Sequence, residues 1–181
     1  MREDTRTRIQ EIALRLFTEQ GYEATSLREI AEELGVTKAA LYYHFKTKDD
    51  IVASLVDLRA AEVEELLDWA RSQPKTPEMR RELLRRYADN LMRPRYLEVA
   101  RFLERNQTAL REQPKLVKMR DTMLALTAEM NEPGATAAER ISRSLALFAL
   151  HAGKWLTQES ELSDEEITKA SLEVAMRLLE P

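Results

Sequence analysis

The sequence predicts an all-α protein. Two observations carry this. Only four glycines and six prolines occur in 181 residues, too few for a chain built of many strands and tight turns. The apolar residues also recur at spacings of three and four, with no period-two alternation. With 44% hydrophobic and 33% charged residues, the composition is that of a globular chain long enough to bury a sizeable core.

The elements follow in order. Ile9, Ile12, Ala13, Leu16 and Phe17 form one face of a first helix. Gly21 ends it, in the place of a C′ glycine. Ser26-Leu27-Arg28-Glu29 reads as a capping box. It opens a short second helix with Leu27, Ile30, Ala31 and Leu34 inward, stopped by Gly35. Thr37 caps a third short helix, with Leu41 and Phe45 inward. Thr47 and Asp50 open a long fourth helix over 48–71. Its core face is Ile51, Leu55 and Leu58, continued by Val63, Leu66, Leu67 and Ala70. Ser72-Gln73-Pro74-Lys75-Thr76-Pro77 breaks the pattern. Further helices are expected near 77–92, 95–111, 115–130, 137–158 and 164–180. Pro94, Pro114 and Pro133-Gly134 separate them, and a second capping box at Ser163-Asp164-Glu165-Glu166 opens the last. There is no internal repeat or low-complexity tract. The chain divides into residues 1–50 and 51–181, joined by the unbroken fourth helix.

Composition excludes several classes of function. With no cysteine, a disulfide scaffold, a thiol nucleophile and a cysteine-ligated metal are ruled out. Two histidines and no glycine-rich phosphate loop leave little catalytic apparatus, so neither an enzyme nor a cofactor or metal is expected. No apolar stretch approaches the ~20 residues of a membrane span. The charged start, Met1-Arg2-Glu3-Asp4, is followed by no apolar leader region. These features predict a cytoplasmic protein that does not engage a membrane.

The formal net charge is −4, from 28 basic and 32 acidic residues, which taken alone argues against nucleic acid. Its distribution says otherwise. Residues 1–50 carry 8 basic and 10 acidic groups, yet residues 37–48 hold three lysines and no acid.

That basic segment lies inside residues 25–48, TSLREIAEELGVTKAALYYHFKTK. Helix, a turn containing Gly35, then helix is the spacing of a helix-turn-helix, whose second helix enters a DNA major groove. With Leu41 and Phe45 inward, the third helix exposes Thr37, Lys38, Ala39, Ala40, Tyr43 and His44. Alanines let the backbone approach base edges and can meet a thymine methyl. Tyr42-Tyr43-His44 supplies phenol and imidazole donors. Lys46 and Lys48 stand at the entry to helix four, whose free N–H groups attract phosphate.

Residues ~5–52 resemble the tetracycline-repressor (TetR) family of bacterial transcriptional regulators. The resemblance rests on Leu16-Phe17-Thr18-Glu19-Gln20-Gly21-Tyr22, Thr25, Ile30-Ala31, Leu34-Gly35-Val36-Thr37 and Leu41-Tyr42-Tyr43-His44-Phe45-Lys46-Thr47-Lys48. It implies an all-α homodimer with an N-terminal DNA-binding domain and a C-terminal effector-binding and dimerisation domain. It implies that Thr37, Lys38, Ala39, Ala40, Tyr42, Tyr43 and His44 face operator DNA, and that Lys48 contacts phosphate. Thr25, Ser26 and Arg28 match the start of helix two, where phosphate contacts occur. Arg28 is the candidate for a bidentate guanine contact. Arg2, Arg6 and Arg8 form an arm that can reach the backbone.

The remaining two-thirds is read from its residues. Leu145-Ala146-Leu147-Phe148-Ala149-Leu150 is apolar on all sides, so its helix must be covered all round. A neighbouring helix and a second subunit together would do that. In helix 164–180, Ile167, Val174 and Leu178 alternate with the small Ala170, Ser171 and Ala175, which permit close helix approach. A two-fold dimer of this kind sets its recognition helices about 34–36 Å apart and reads a palindrome. Tyr87, Phe102, Asn106, Met119, Met123, Phe148, His151 and Trp155, with Trp69 and Met92 beside them, are the candidates to line an effector cavity. An apolar lining favours a small hydrophobic effector. Asn106 and His151 stand out, because a polar group on an apolar helix needs a partner. The arginines of 78–111 alternate with acids and predict solvated ion-pair faces.

Overall fold

Nine helices form among the described residues: α1 (Arg2–Glu19), α2 (Leu27–Leu34), α3 (Lys38–His44), α4 (Lys48–Ser72), α5 (Pro77–Leu91), α6 (Pro94–Arg105), α7 (Pro114–Glu129), α8 (Ala137–Leu156) and α9 (Asp164–Arg177). The computed structural model describes residues 2–106, 114–157 and 161–180, apart from the side chains of residues 2–4, 94, 95, 101, 104, 105, 114–117, 154 and 155. No strand occurs among them. The part of the expected sixth helix beyond residue 106 lies outside the described residues.

The helix ends form where the side chains dictate. Ser26 accepts from the Glu29 N–H, and the Glu29 carboxylate accepts from the Ser26 N–H at 2.7 Å. Thr136 with Glu139 and Ser163 with Glu166 repeat this box at α8 and α9. Thr47 and Asp50 exchange the same pair of bonds at α4, at 3.0 and 2.9 Å. Each cap stabilises its helix by about 1 kcal/mol. Gly35 closes α2 at φ +70°, where its N–H reaches the carbonyls of Ala31 and Glu32. A Cβ is disfavoured in that left-handed conformation.

The chain forms two compact units. The first is Met1–Arg59 with Leu97–Met119; the second is Ala60–Tyr96 with Arg120–Pro181. The first unit thus holds α1 to α3, the opening turns of α4 and most of α6.

Its core joins Ile9, Ala13 and Phe17 of α1, Ile30 of α2, Leu41 of α3, Ile51 and Leu55 of α4, and Phe102 of α6. Phe102 stacks on Phe17 at 5.4 Å, and Phe17 meets Tyr22 edge-on at 5.2 Å. Each such buried side chain contributes about 1.5–3 kcal/mol. One buried polar contact crosses the core, where the Gln10 amide donates to Ser54 Oγ at 2.8 Å. The inward face of α4 differs from expectation at Leu58, which is 44% exposed. Val52, Val56 and Ala60 are buried instead. Leu58 stands where α4 leaves the first unit at Arg59, so that unit's core no longer covers it.

In the second unit α8 packs along α9. Gly153 marks the closest approach: a Cβ there would overlap the Ser171 hydroxyl and lie 3.1 Å from the Ser171 Cβ. The arginines of α5 form the expected ion pairs, Arg81 with Glu78 and Arg86 with Glu82. Arg80 departs from that reading. It is 5% exposed, donates from Nε to the Met130 carbonyl at 2.6 Å, and pairs with Glu132. Glu132 also pairs with the buried Arg143 at 3.0 Å.

Candidate nucleic-acid interface

The third helix is held by its inward residues and displays the rest. Leu41 and Phe45 are 0% and 2% exposed. Thr37 accepts from the Ala40 N–H at 3.2 Å and starts the helix where Gly35 and Val36 finish the turn. Thr37, Lys38, Ala39, Ala40 and Tyr43 are consequently exposed, while Tyr42 and His44 are half-buried. Tyr42 packs on the core edge with the Lys38 ammonium 5.4 Å over its ring. Tyr43, 67% exposed, meets His44 edge-on at 5.3 Å. The Lys46 ammonium donates to the Tyr42 carbonyl at 2.6 Å. The Arg6 guanidinium lies 4.5 Å over the Phe45 ring, which brings one cation of the N-terminal helix beside α3.

The other candidates sit differently. Thr25 is buried, and its hydroxyl donates to the Gly21 carbonyl at 2.8 Å, so it shapes the α1–α2 turn. Ser26 caps α2. Arg28 is exposed and paired with Glu32 at 2.6 Å. That carboxylate holds the guanidinium proton more tightly than usual, and the pair must open before Arg28 can reach a base. Lys48 is half-buried. Its ammonium donates to the carbonyls of Tyr22 and Glu23 at 2.6 and 3.3 Å and lies 4.5 Å over the Tyr22 ring.

Sequence reasoning missed the partners of Tyr22. The Tyr22 hydroxyl donates to Asp49, and its backbone N–H donates to Asn106 Oδ1 at 3.3 Å. Burial, then the Asp49 bond, push the phenol above its ordinary range. A polar residue on an otherwise apolar helix was the available signal, and it pointed to Asn106 without saying which partner it met.

Residues 9–55, which include α2, α3 and Lys48, match the family model described as bacterial regulatory proteins, tetR family. That match covers about a quarter of the chain, the N-terminal segment holding the helix-turn-helix. The HTH-type transcriptional regulator AcrR of Shigella flexneri is 42% identical to this chain over 76 residues, 41% of the chain and 35% of AcrR. The match spans about a third of the length of such curated relatives. A transcriptional regulator from Aquifex aeolicus has the same fold, with a TM-score of 0.74 at 22% identity, over 93% of this chain and 96% of that one. The TetR family regulator PfmR from Thermus thermophilus aligns at 26% identity and a TM-score of 0.66, over 96% of this chain and 100% of its own.

The cavity candidates fall into two groups. Phe102, Asn106 and Met119 belong to the first unit. Tyr87, Met123, Phe148 and His151 belong to the second. There the buried Tyr87 hydroxyl meets His151 Nε2 and lies 3.4 Å from Met123 Sδ. A cleft of about 530 Å³ runs between α7 and α8, lined by Met123, Leu124, Leu147, Phe148 and His151 with Arg120 and Arg140. Trp69 lies under the Arg86 guanidinium, at 4.2 Å. The side chain of Trp155 lies outside the described residues.

The expected all-round apolar helix, α8, leaves Ile141, Leu145, Phe148 and Leu156 between 47% and 69% exposed, with Val174 of α9 at 49%. Among the described residues no helix is long and apolar enough to cross a membrane.

Proposed function

We propose that this chain is a ligand-responsive transcriptional regulator, a repressor that leaves a palindromic operator when a small hydrophobic effector binds. The observation that carries the reading is α3. Leu41 and Phe45 anchor it, and Lys38, Ala39, Ala40, Tyr43 and His44 form a face with no acid between residues 37 and 48. Ala39 and Ala40 admit the backbone to the major groove, Tyr43 and His44 donate to base edges or phosphate, and Lys38, Lys46 and Lys48 neutralise phosphates.

Residues 1–50 carry the DNA-binding role in this reading, and residues 51–181 the effector and dimer roles. The Tyr87, Met123 and His151 cluster supplies polar groups to an otherwise apolar effector site. The exposed stripe of α8 with Val174 of α9 supports a homodimer, because apolar area of that extent is otherwise left to water. α4 runs unbroken from Lys48 to Ser72. Effector binding that tilts α4 changes the separation of the two recognition helices. By linkage, operator and effector then weaken each other's binding by the same factor.

Fluorescence anisotropy with the DNA flanking the chain's own gene tests this. The expected result is saturable binding that falls steeply with salt and exceeds that for scrambled DNA. Equal affinity for scrambled DNA, or no salt dependence, refutes it.

A further inference from the structure

We propose that Asn106 is a positioning residue for operator binding, acting through Tyr22 on Lys48. This rests on the DNA-binding reading above. The contacts form one continuous series within the first unit. Phe102 and Asn106 stand one helical turn apart at the end of α6, on the same face. The Phe102 ring lies 5.4 Å from Phe17 and 6.5 Å from Tyr22. The Asn106 amide is oriented by its own helix, since Nδ2 donates to the Phe102 carbonyl at 2.9 Å. That bond turns Oδ1 toward Tyr22, where it accepts the backbone N–H at 3.3 Å.

Tyr22 needs this partner. It follows Gly21, whose φ of +96° takes the chain out of α1, and it is 7% exposed. Its N–H has left the helical ladder and sits in a part-buried turn, so losing Asn106 removes its hydrogen-bond partner. The first two residues of α4 hold the rest of Tyr22. Its hydroxyl donates to Asp49, its carbonyl accepts from Lys48, and its ring lies beneath the Lys48 ammonium. One side of Tyr22 is fixed by the end of α6 and the other by the start of α4. Displacing Asn106 displaces the carbonyl that aims Lys48.

An ammonium has three donors. Two are directed at Tyr22 and Glu23, and the third is left to meet a phosphate at the α4 N-terminus. The end of α6 thereby sets the geometry of a phosphate contact made by a different helix. A purely structural Asn106 would stabilise the fold without any link to that charge.

A double-mutant cycle separates the two. Operator affinity is measured by anisotropy across a potassium chloride series for wild type, Asn106→Ala, Lys48→Met and the double variant. Asn106→Ala is expected to weaken binding about 3–10-fold and to flatten the salt slope by about one phosphate, roughly 0.9. In the Lys48→Met background the same change should alter neither quantity. Asn106→Ser, too short to reach Tyr22, should behave as Asn106→Ala and provides a second test if the alanine protein melts too low. Additive losses in the double variant, or an unchanged slope in both short-chain variants, overturn the inference alone. A wild-type protein with no salt-dependent DNA binding overturns the regulator reading and this inference with it.

Discussion

The Tyr22 hydroxyl donates a 2.5 Å hydrogen bond to Oδ1 of Asp49, joining the turn after α1 to the first turn of α4. Burial and this carboxylate keep the phenol protonated above its ordinary range near 10. The folded-state value therefore exceeds the unfolded one. The contribution to stability is complete below about pH 10 and is lost as pH rises through the folded-state value. Tyr22→Phe should cost about 1–3 kcal/mol at neutral pH by urea unfolding, as expected for a bond to a charged acceptor. Above pH 10 the gap between wild type and Tyr22→Phe should narrow. A gap that stays constant to the alkaline limit would show that the bond does not depend on the phenol proton.

Glu132 bridges two buried guanidiniums, Arg80 and Arg143, and so ties the turn before α8 to α5. Removing the charge leaves the buried Arg80 and Arg143 guanidiniums with Glu139, 3.2 Å from Arg143, as their remaining carboxylate. Desolvation and Arg143 already make Arg80 easier to deprotonate than a free arginine. Glu132→Gln should destabilise the fold by about 2–4 kcal/mol, since breaking one partner of a buried pair costs more than the pair itself contributes. Thermal and urea unfolding measure this. A loss under about 0.5 kcal/mol, typical of a surface change, would mean that water reaches the cluster.

The face of α3 should separate two kinds of effect. Lys38→Ala and Lys46→Ala remove phosphate contacts in the proposed complex, so they should weaken operator and scrambled DNA alike and flatten the salt slope. Tyr43→Ala and His44→Ala should weaken operator about 5–30-fold, with less effect on scrambled DNA, as expected for losing about 1–2 kcal/mol of base readout. Anisotropy on both DNAs at two salt concentrations reads the difference. If Tyr43→Ala binds operator as wild type does, the recognition face has been drawn on the wrong side of α3.

The helices were legible because their ends are written in single residues. Ser26, Thr37 and Ser163 cap as their side chains require, and Gly35 takes the left-handed turn that only its missing Cβ makes easy. The outward face of α3 was legible for a similar reason: Leu41 and Phe45, four residues apart, fix which side of a seven-residue helix turns outward. Periodicity failed where coverage depends on distant chain. Leu58 has the spacing of a core residue, yet lies where α4 leaves its unit. Arg80 stands in a run of solvated arginines, and only the turn at Met130 and Glu132 makes its burial tolerable. Phe102 and Asn106 carry the apolar and polar character of a cavity lining, and nothing local distinguishes that from packing against Phe17 and Tyr22.

Gly153 decides how closely α8 and α9 approach. A methyl group there would overlap the Ser171 hydroxyl and press on the Ser171 Cβ at 3.1 Å. Ser171 is 5% exposed, so it has little room to withdraw. The helical preference of alanine over glycine, about 1 kcal/mol, favours the substitution. Overpacking, at about 1–3 kcal/mol, opposes it. The two nearly balance if the helices can separate by a few tenths of an ångström. They cannot do so freely, because Ile167 of α9 also stands 3.5 Å from the added methyl and the interface is closely packed. Gly153→Ala should therefore lower the melting temperature by several degrees, and Ser171→Gly in the same chain should recover most of the loss by vacating the space. A stabilised Gly153→Ala protein, or a double variant no better than the single one, would show that helix propensity rather than the Ser171 contact governs this position.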